Sequence, residues 1–585
     1  MTSPSTENLP GGPEPAVPAA PTAQTTGAVA PGWHPPAVPP TRLPAVPLEA
    51  PPEAPAPHPD HAPPSPRFLA RAALVTASLS VAGSLLGLVR DQSLARLFGA
   101  GRDTDAFLVA WTVPEFAATL LIEDGLAFAL VPAFSRALAR RAQGVGGDPV
   151  RSLVAGTLPR LAPLFTAVGG LLALAAPQFV AALAPGLSDA RLAVDCTRLT
   201  ATCVLSFGLA GYCSAALRAH RRFLAPAAIY IVYNLGIVAA MYAFGGHWGV
   251  RAAAFGVAAG GLLMVLVQLP SLLRVLRSRR DPAGDPAPGL AVEPRAVDVR
   301  LMATVLLFAL CRQSQVLIER FLASGLPAGA ISHLNYAQKV AQIPMSLSLM
   351  LCTVTFPVVA RALAEGDTER ARARVERDLA VAATLVLLGT AAVVACAPQL
   401  IGLLFQRGAF TAADTAATAG VMRVYAIGLL GQTLTGVLVR SYFSAGRAAW
   451  YPVGAMAAGI AVTSCVGALS LGSWGVTGIA AANATGITVT AALLLAGMRS
   501  RSVPVRTPLV LRELSRPLRA AVVATVSGVL VAALPATPLA SLAAGAATVT
   551  AVFVLLACVL GAQGCTRVLR RVRTLTRRLA HVLLR

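Results

Sequence analysis

Beyond residue 66 the chain reads as runs of roughly 20 to 30 mostly apolar residues separated by short polar joints, the length of hydrocarbon-spanning helices. Fourteen spans are predicted, at about 69–98, 105–135, 161–183, 193–217, 223–244, 251–273, 301–323, 328–360, 378–404, 415–443, 450–470, 475–497, 516–535 and 540–563. A backbone inside hydrocarbon must satisfy its own hydrogen bonds, so the pattern predicts an all-α polytopic membrane protein. Residues 1–66 break the pattern. They hold Pro at 21 positions, one arginine (Arg42) and no apolar run, which predicts a disordered, partly polyproline-like tail acting as a linker or a docking segment.

Composition agrees with the span pattern. Mean hydropathy is +0.68, with 56% hydrophobic and 13% charged residues, outside the range of soluble domains. A formal net charge of +22 raises the question of nucleic acid, and the distribution of the charge answers it. Arginines gather in the joints after even-numbered spans: Arg136, Arg140 and Arg141; Arg218, Arg221 and Arg222; Arg274, Arg277, Arg279 and Arg280; Arg370, Arg372 and Arg374. Joints after odd-numbered spans are short and hold few basic residues. This is the asymmetry of a multi-pass membrane protein with both termini cytoplasmic, and no nucleic-acid partner is expected. The nine cysteines are scattered, mostly within spans, and have no metal-ligand spacing, so they read as small apolar fillers.

An internal repeat divides the chain. Pro132-Ala-Phe-Ser-Arg136-Ala-Leu-Ala near the end of span 2 matches Pro357-Val-Val-Ala-Arg361-Ala-Leu-Ala at the end of span 8, and each follows a mid-span proline, Pro114 and Pro344. The predicted organisation is two pseudo-symmetric six-helix lobes at 67–280 and 298–500, two further helices within 512–565, and a basic tail at 566–585. Paired lobes with polar inner faces are the plan of an alternating-access transporter. The tail, with Arg567, Arg570, Arg571 and Arg573, is amphipathic and suits anionic lipid head-groups.

Several spans carry charge that is costly in lipid, at least ~3 kcal/mol per group, and such residues usually face a bundle interior or a wet cavity. One helical face of span 7 holds Arg312, Gln315 and Glu319, with Arg320 adjacent; one face of span 8 holds Asn335, Lys339, Gln342 and Ser346. Lys339 is the chain's sole lysine. Span 7 reads either as a cationic lining for an anionic head-group, with Glu319 orienting an arginine, or as a buried ion pair that fixes one lobe. Lys339 reads either as a phosphate-binding ammonium or as a lysine satisfied by Gln338 and Gln342. Arg90-Asp91 closes span 1 as a site or an interfacial pair, and Asp105 reads as the N-cap of span 2. Glu123-Asp124 near the other end of span 2 is a candidate gate, a proton-linked site or a wet helix end. No Walker A motif, HExxH, nucleophile elbow or metal motif occurs, so no enzyme activity, cofactor or metal is expected, and the energy is expected from a gradient or the membrane potential.

Three stretches carry a resemblance. Leu86-Gly87-Leu88-Val89-Arg90-Asp91 with Phe98-Gly99-Ala100-Gly101-Arg102-Asp103-Thr104-Asp105-Ala106-Phe107, then Ile318-Glu319-Arg320-Phe321 with Asn335-Tyr336-Ala337, then Leu404-Phe405-Gln406-Arg407-Gly408-Ala409-Phe410-Thr411, resemble the MurJ/MviN lipid II flippases of the multidrug/oligosaccharidyl-lipid/polysaccharide exporter superfamily. The resemblance implies a two-lobe, fourteen-helix flippase. It would move an undecaprenyl-pyrophosphate-linked peptidoglycan precursor, lipid II or a related polyprenyl glycolipid, from inner to outer leaflet, with membrane lipids and cell-wall synthesis proteins as further partners. Arg90 and Lys339 would be cavity cations and Asp105 the matching carboxylate. The chain departs from the family where Ser84 and Ala117-Ala118 replace arginines and Gln338-Lys339 replaces Asp-Arg. No acidic residue lies between Asp414 and Glu513, so a sodium site in spans 11 and 12 would have only neutral oxygens such as those of Asn483 and Thr485. A drug exporter and a non-transporting scaffold of cell-wall synthesis are the competing readings.

Overall fold

The computed structural model describes residues 66–123, 125–143, 148–277, 299–353, 359, 361–363, 365–444, 449–534 and 537–562. The proline-rich tail, Asp124, Pro357 of the repeat and the basic tail lie outside the described residues. Among the described residues every regular element is helical. The helices of the first half are α1 (Pro66–Phe98), α2 (Arg102–Ala110), α3 (Thr112–Ala117), α4 (Gly125–Ala142), α5 (Pro149–Leu174), α6 (Ala176–Leu183), α7 (Ala190–Ala201), α8 (Cys203–Ala219), α9 (Leu224–Trp248) and α10 (Arg251–Arg277). The second half holds α11 (Val299–Ser324), α12 (Ala330–Ala341), α13 (Ile343–Thr353), α14 (Thr368–Ala395), α15 (Ala397–Phe405), α16 (Ala412–Ile427), α17 (Leu429–Ser444), α18 (Tyr451–Arg501), α19 (Thr507–Ala532) and α20 (Pro538–Val559).

Among the described residues ten helices are long and apolar enough to cross a membrane, or eleven when the bent pair α16–α17 is one span, so length and composition alone do not reach the predicted fourteen. One reason is that α18 is two helices in sequence. Its 51 residues would extend ~77 Å, against a hydrocarbon core of ~30 Å, and Gly475 breaks it with φ 51° and ψ −128°. Another is that span 8 is broken near its proline; span 2 is broken as well, yet Arg102–Arg141 still counts as one span. Span 2 parts at Trp111, with Pro114 in the first turns of α3, and continues through a π-helical stretch, Ala118–Glu123. Span 8 parts at Gln342, with Pro344 opening α13. Proline is tolerated in a first helical turn because its missing N–H has no intrahelical partner there, so each proline marks a new start.

Helices α1–α10 contact chiefly one another, as do α11–α18, while α19 and α20 pair together and lie on α14. Close approach rests on small residues, as is usual where lipid removes the hydrophobic drive between helices. In the tight α9–α10 pair a Cβ added to Gly236 would stand 3.0 Å from the Cα of Gly260. The main contacts between the two groups are α1 with α15, α2 with α12, and α6 and α3 with α11, and close main-chain approaches join their ends at Arg96 and Ala409, Ala100 and Gly329, and Gly186 and Gly325.

Gly211 of α8 lies against the π-helical stretch of span 2, where an added Cβ would fall 1.8 Å from the Leu121 carbonyl oxygen. Gly211→Ala is expected to destabilise the fold by ~1–3 kcal/mol through overpacking. The expected outcome is a lower unfolding temperature in detergent, against no loss for Gly454→Ala, whose Cβ would meet nothing within 4 Å.

Candidate functional site

The end where the two groups meet is sealed largely by main-chain atoms. Ala409 N–H donates to the Arg96 carbonyl at 2.9 Å. Gly408 holds φ +64°, and a Cβ there would fall 2.3 Å from the Arg96 oxygen. Gly329, with φ +97°, approaches the Ala100 carbonyl in the same way. Only glycine combines that backbone conformation with that proximity. Asp105 completes the seal. Its carboxylate accepts from the Gly329 N–H at 2.6 Å, the Ser332 N–H at 2.8 Å and the Ser332 hydroxyl at 2.6 Å, and the residue is buried. These are the unpaired amides at the start of α12, where the helix dipole also favours an anion.

This corrects the sequence reading of Asp105. The cap position of its own helix is Gly101, which makes no side-chain capping bond. Asp105 caps a helix of the other lobe instead.

Beneath the seal lies a small cavity whose largely apolar wall carries a few charged and polar groups. The helical rise sets Arg90 ~14 Å along α1 from Gly99 and Lys339 ~15 Å along α12 from Gly329, so both stand at similar depth. They line one cavity with Asp91, Trp111 and Asn335. It holds about 10 Å³ for the centre of a water-sized sphere, room for about one water. Arg90 is clamped from several sides. Its Nε and Nη2 donate to Asp91 at 3.0 and 2.7 Å, its Nη1 donates to Asn234 at 3.1 Å, and its guanidinium lies 4.4 Å from the Trp111 ring centroid. Asn234 in turn donates to the carbonyls of Gly83 and Tyr230, which fixes which oxygen it offers. The arginine is thus held rigid in the orientation that fills the cavity wall.

Glu115 in the first turn of α3, which sequence reasoning passed over, organises the cations of the second lobe. Its Oε2 accepts from Arg320 Nη2 at 2.9 Å, and its Oε1 lies 3.9 Å from Lys339 Nζ. Arg320 also donates to the Thr112 hydroxyl and is almost fully buried. Arg320 thus forms a buried ion pair, but its partner Glu115 lies in the other lobe, so the pair joins the two lobes instead of fixing one. Lys339 is not satisfied by its neighbouring glutamines: Gln338 donates to the Tyr425 hydroxyl at 2.7 Å, and Gln342 ends α12 half-buried. The signal that would have found Glu115 is a lone acid mid-span beside a proline.

The remaining predicted residues separate. Glu319 is buried and accepts from Asn483 of α18, so it orients an amide of its own lobe rather than an arginine. Arg312 is exposed and makes no hydrogen bond or ion pair among the described residues. Glu123 ends the π-helical stretch, exposed, and accepts from the Tyr230 hydroxyl at 2.9 Å. Gln313 bridges the lobes by donating to Thr119 at 3.1 Å.

A family model described as "Lipid II flippase MurJ" matches residues 94–554, most of the chain, including α2–α3 and α12, which carry the seal, Glu115 and Lys339. The chain belongs to the MurJ family. The lipid II flippase MurJ of Burkholderia cenocepacia is 28% identical over 391 residues, covering 64% of this chain and 73% of that protein. A probable lipid II flippase MurJ of Bdellovibrio bacteriovorus is 26% identical over 447 residues, covering 76% and 84%. The fold is that of a solved MurJ in an inward closed conformation, with a TM-score of 0.65 and 16% identity over 83% of this chain and 98% of that one. An inward-facing MATE-family multidrug transporter aligns less closely, with a TM-score of 0.56 and 14% identity over 75% and 99%. This MurJ family member is thus a multi-pass membrane protein of the transporter kind.

The cross-lobe cap is expected to hold the seal measurably. Asp105→Ala should weaken it by ~1–2 kcal/mol, the usual cost of an N-cap, which is about a five- to thirty-fold faster hydrogen exchange at the Gly329 and Ser332 amides. Unchanged protection there would show that the main-chain contacts suffice alone.

Proposed function

We propose that this protein carries a lipid-linked peptidoglycan precursor, lipid II or a close polyprenyl-diphosphate glycolipid, from the inner to the outer leaflet by alternating access. The observation that carries the reading is that Arg90 and Lys339, from different lobes, share one cavity wall at similar depth. A diphosphate held there would touch both lobes at once, so its passage is tied to their relative motion. Arg90 supplies a rigid, forked donor set and Lys339 a point charge on a flexible stem. Asn335, one turn from Lys339, offers an amide to the head-group, and Arg312, exposed and unpaired, is the outlying cation an approaching diphosphate meets first. Gln342 stands at the break between α12 and α13, where the lining can bend.

The arginine-rich joints support an orientation with both termini cytoplasmic, which puts the sealed end outside. In that orientation the protein has closed its outer gate. A cavity with room for about one water cannot hold a sugar diphosphate, so loading requires the lobes to part at the inner end. Glu123 and its partner Tyr230 stand towards that end and serve as the inner gate. Arg320 and Glu319 then hold structure, Arg320 across the lobes and Glu319 within one. The basic tail suits the anionic inner leaflet, and the proline-rich tail suits a linker to other cell-wall synthesis proteins.

The test is translocation of labelled lipid II in proteoliposomes, with rescue of a flippase-depleted strain beside it. Wild type is expected to be active in both. Lys339→Ala and Arg90→Ala are expected to cut the rate about tenfold to hundredfold, the worth of one charged hydrogen bond, while Lys339→Arg retains most of it. Inactivity of wild type in both assays, with the protein folded, would overturn the reading.

A further inference from the structure

We infer that Glu115 is a resident counter-ion: in the unloaded protein its carboxylate stands where a substrate phosphate would stand and lets the two lobes close on an empty cavity. The inference rests on the proposed diphosphate site in one respect, that Lys339 is the cation the substrate takes over.

A carrier that returns empty must bring its binding cations together without their ligand. In a medium of low dielectric, cations left without partners repel one another and lose hydration, so closure is opposed. Here three cations, Arg90, Arg320 and Lys339, cluster with Asp91 and Glu115, while the nearby buried Glu319 is held by Asn483 of its own lobe. Asp91 is spent on Arg90. Without Glu115, Arg320 and Lys339 would have no anion within ion-pair distance among the described residues.

The geometry divides the carboxylate into a fixed leg and a releasable one. The leg to Arg320 is a 2.9 Å hydrogen bond, and the Arg320 side chain is only 6% exposed. The leg to Lys339 is 3.9 Å, beyond hydrogen-bond length, and the Lys339 side chain is 35% exposed on the cavity. An entering diphosphate can therefore take Lys339 while Glu115 stays with Arg320. Glu115 belongs to the first lobe and both cations to the second, so the same exchange loosens the lobes. The break at Trp111 and the start of α3 at Thr112 set Glu115 at the level of these cations.

The test is hydrogen exchange of the 326–336 segment in substrate-free, full-length protein in lipid nanodiscs, because the Gly329 and Ser332 amides report the seal. Glu115→Gln is expected to accelerate exchange there by about tenfold, since the lobes must close on Arg320 and Lys339 with no anion between them. Glu115→Gln combined with Lys339→Met restores the balance of charge and is expected to return exchange to within about twofold of wild type. A purely packing role for Glu115 would leave the double variant as fast as the single. Unchanged exchange in Glu115→Gln, or a double variant no slower than the single, overturns the inference. Should Glu115→Gln not fold, recovery of folding in the double variant supports it, and failure of the double variant overturns it. Lys339→Met alone keeps Glu115 on Arg320 and must be no faster than wild type; faster exchange also overturns it. Failure of wild type to move lipid II would strike the substrate assignment and leave these exchange results standing.

Discussion

A charge held at mid-depth in a helical bundle has no water to fall back on, so its partner must come from the protein. In this chain the partners come repeatedly from the opposite lobe. Asp105 of α2 holds the start of α12, and Glu115 of α3 holds Arg320 of α11 and faces Lys339 of α12. Each contact is satisfied only when the lobes are together at the sealed end. The electrostatic requirement and the conformational state are therefore one constraint, and changing the lobe arrangement means finding each group a new partner.

The helix breaks make this arrangement possible. A continuous span 2 would carry Glu115 on an unbroken helix. The turn at Trp111, the proline start of α3 and the π-helical stretch after it re-aim the side chains along that span. Trp111 itself faces Arg90, so one residue both interrupts the helix and supports the neighbouring cation. Span 8 is broken in the corresponding place, at Gln342 before Pro344. Breaks at membrane depth are tolerable where the freed backbone is inside protein rather than against lipid.

The apolar runs disclosed the helices, and the single lysine and the Arg90-Asp91 pair disclosed the cavity, because both signals are local. Partnerships were not local. Asp105 looked like the cap of its own helix because that is what a carboxylate near a helix start usually is, and nothing nearby in sequence names Gly329 and Ser332. Glu115 stands more than two hundred residues from the cations it meets, and a lone acid after a proline gives no hint of their identity. Glu319 is buried, yet its partner is an amide on α18, supplied by a segment with no acidic residue to draw attention. Gly475 joins two of the predicted spans without a loop, so they run on as one helix where hydropathy alone reads a short gap.

The way the sealed end is built has an evolutionary consequence. Ala409 meets Arg96 through peptide groups, and Asp105 reads peptide groups at the start of α12. Peptide groups are common to every residue type, so most side chains in these surface turns can be exchanged without cost to the join. Changing surroundings can therefore rewrite the turns at this end of the molecule freely, provided the two glycines and the one aspartate stay.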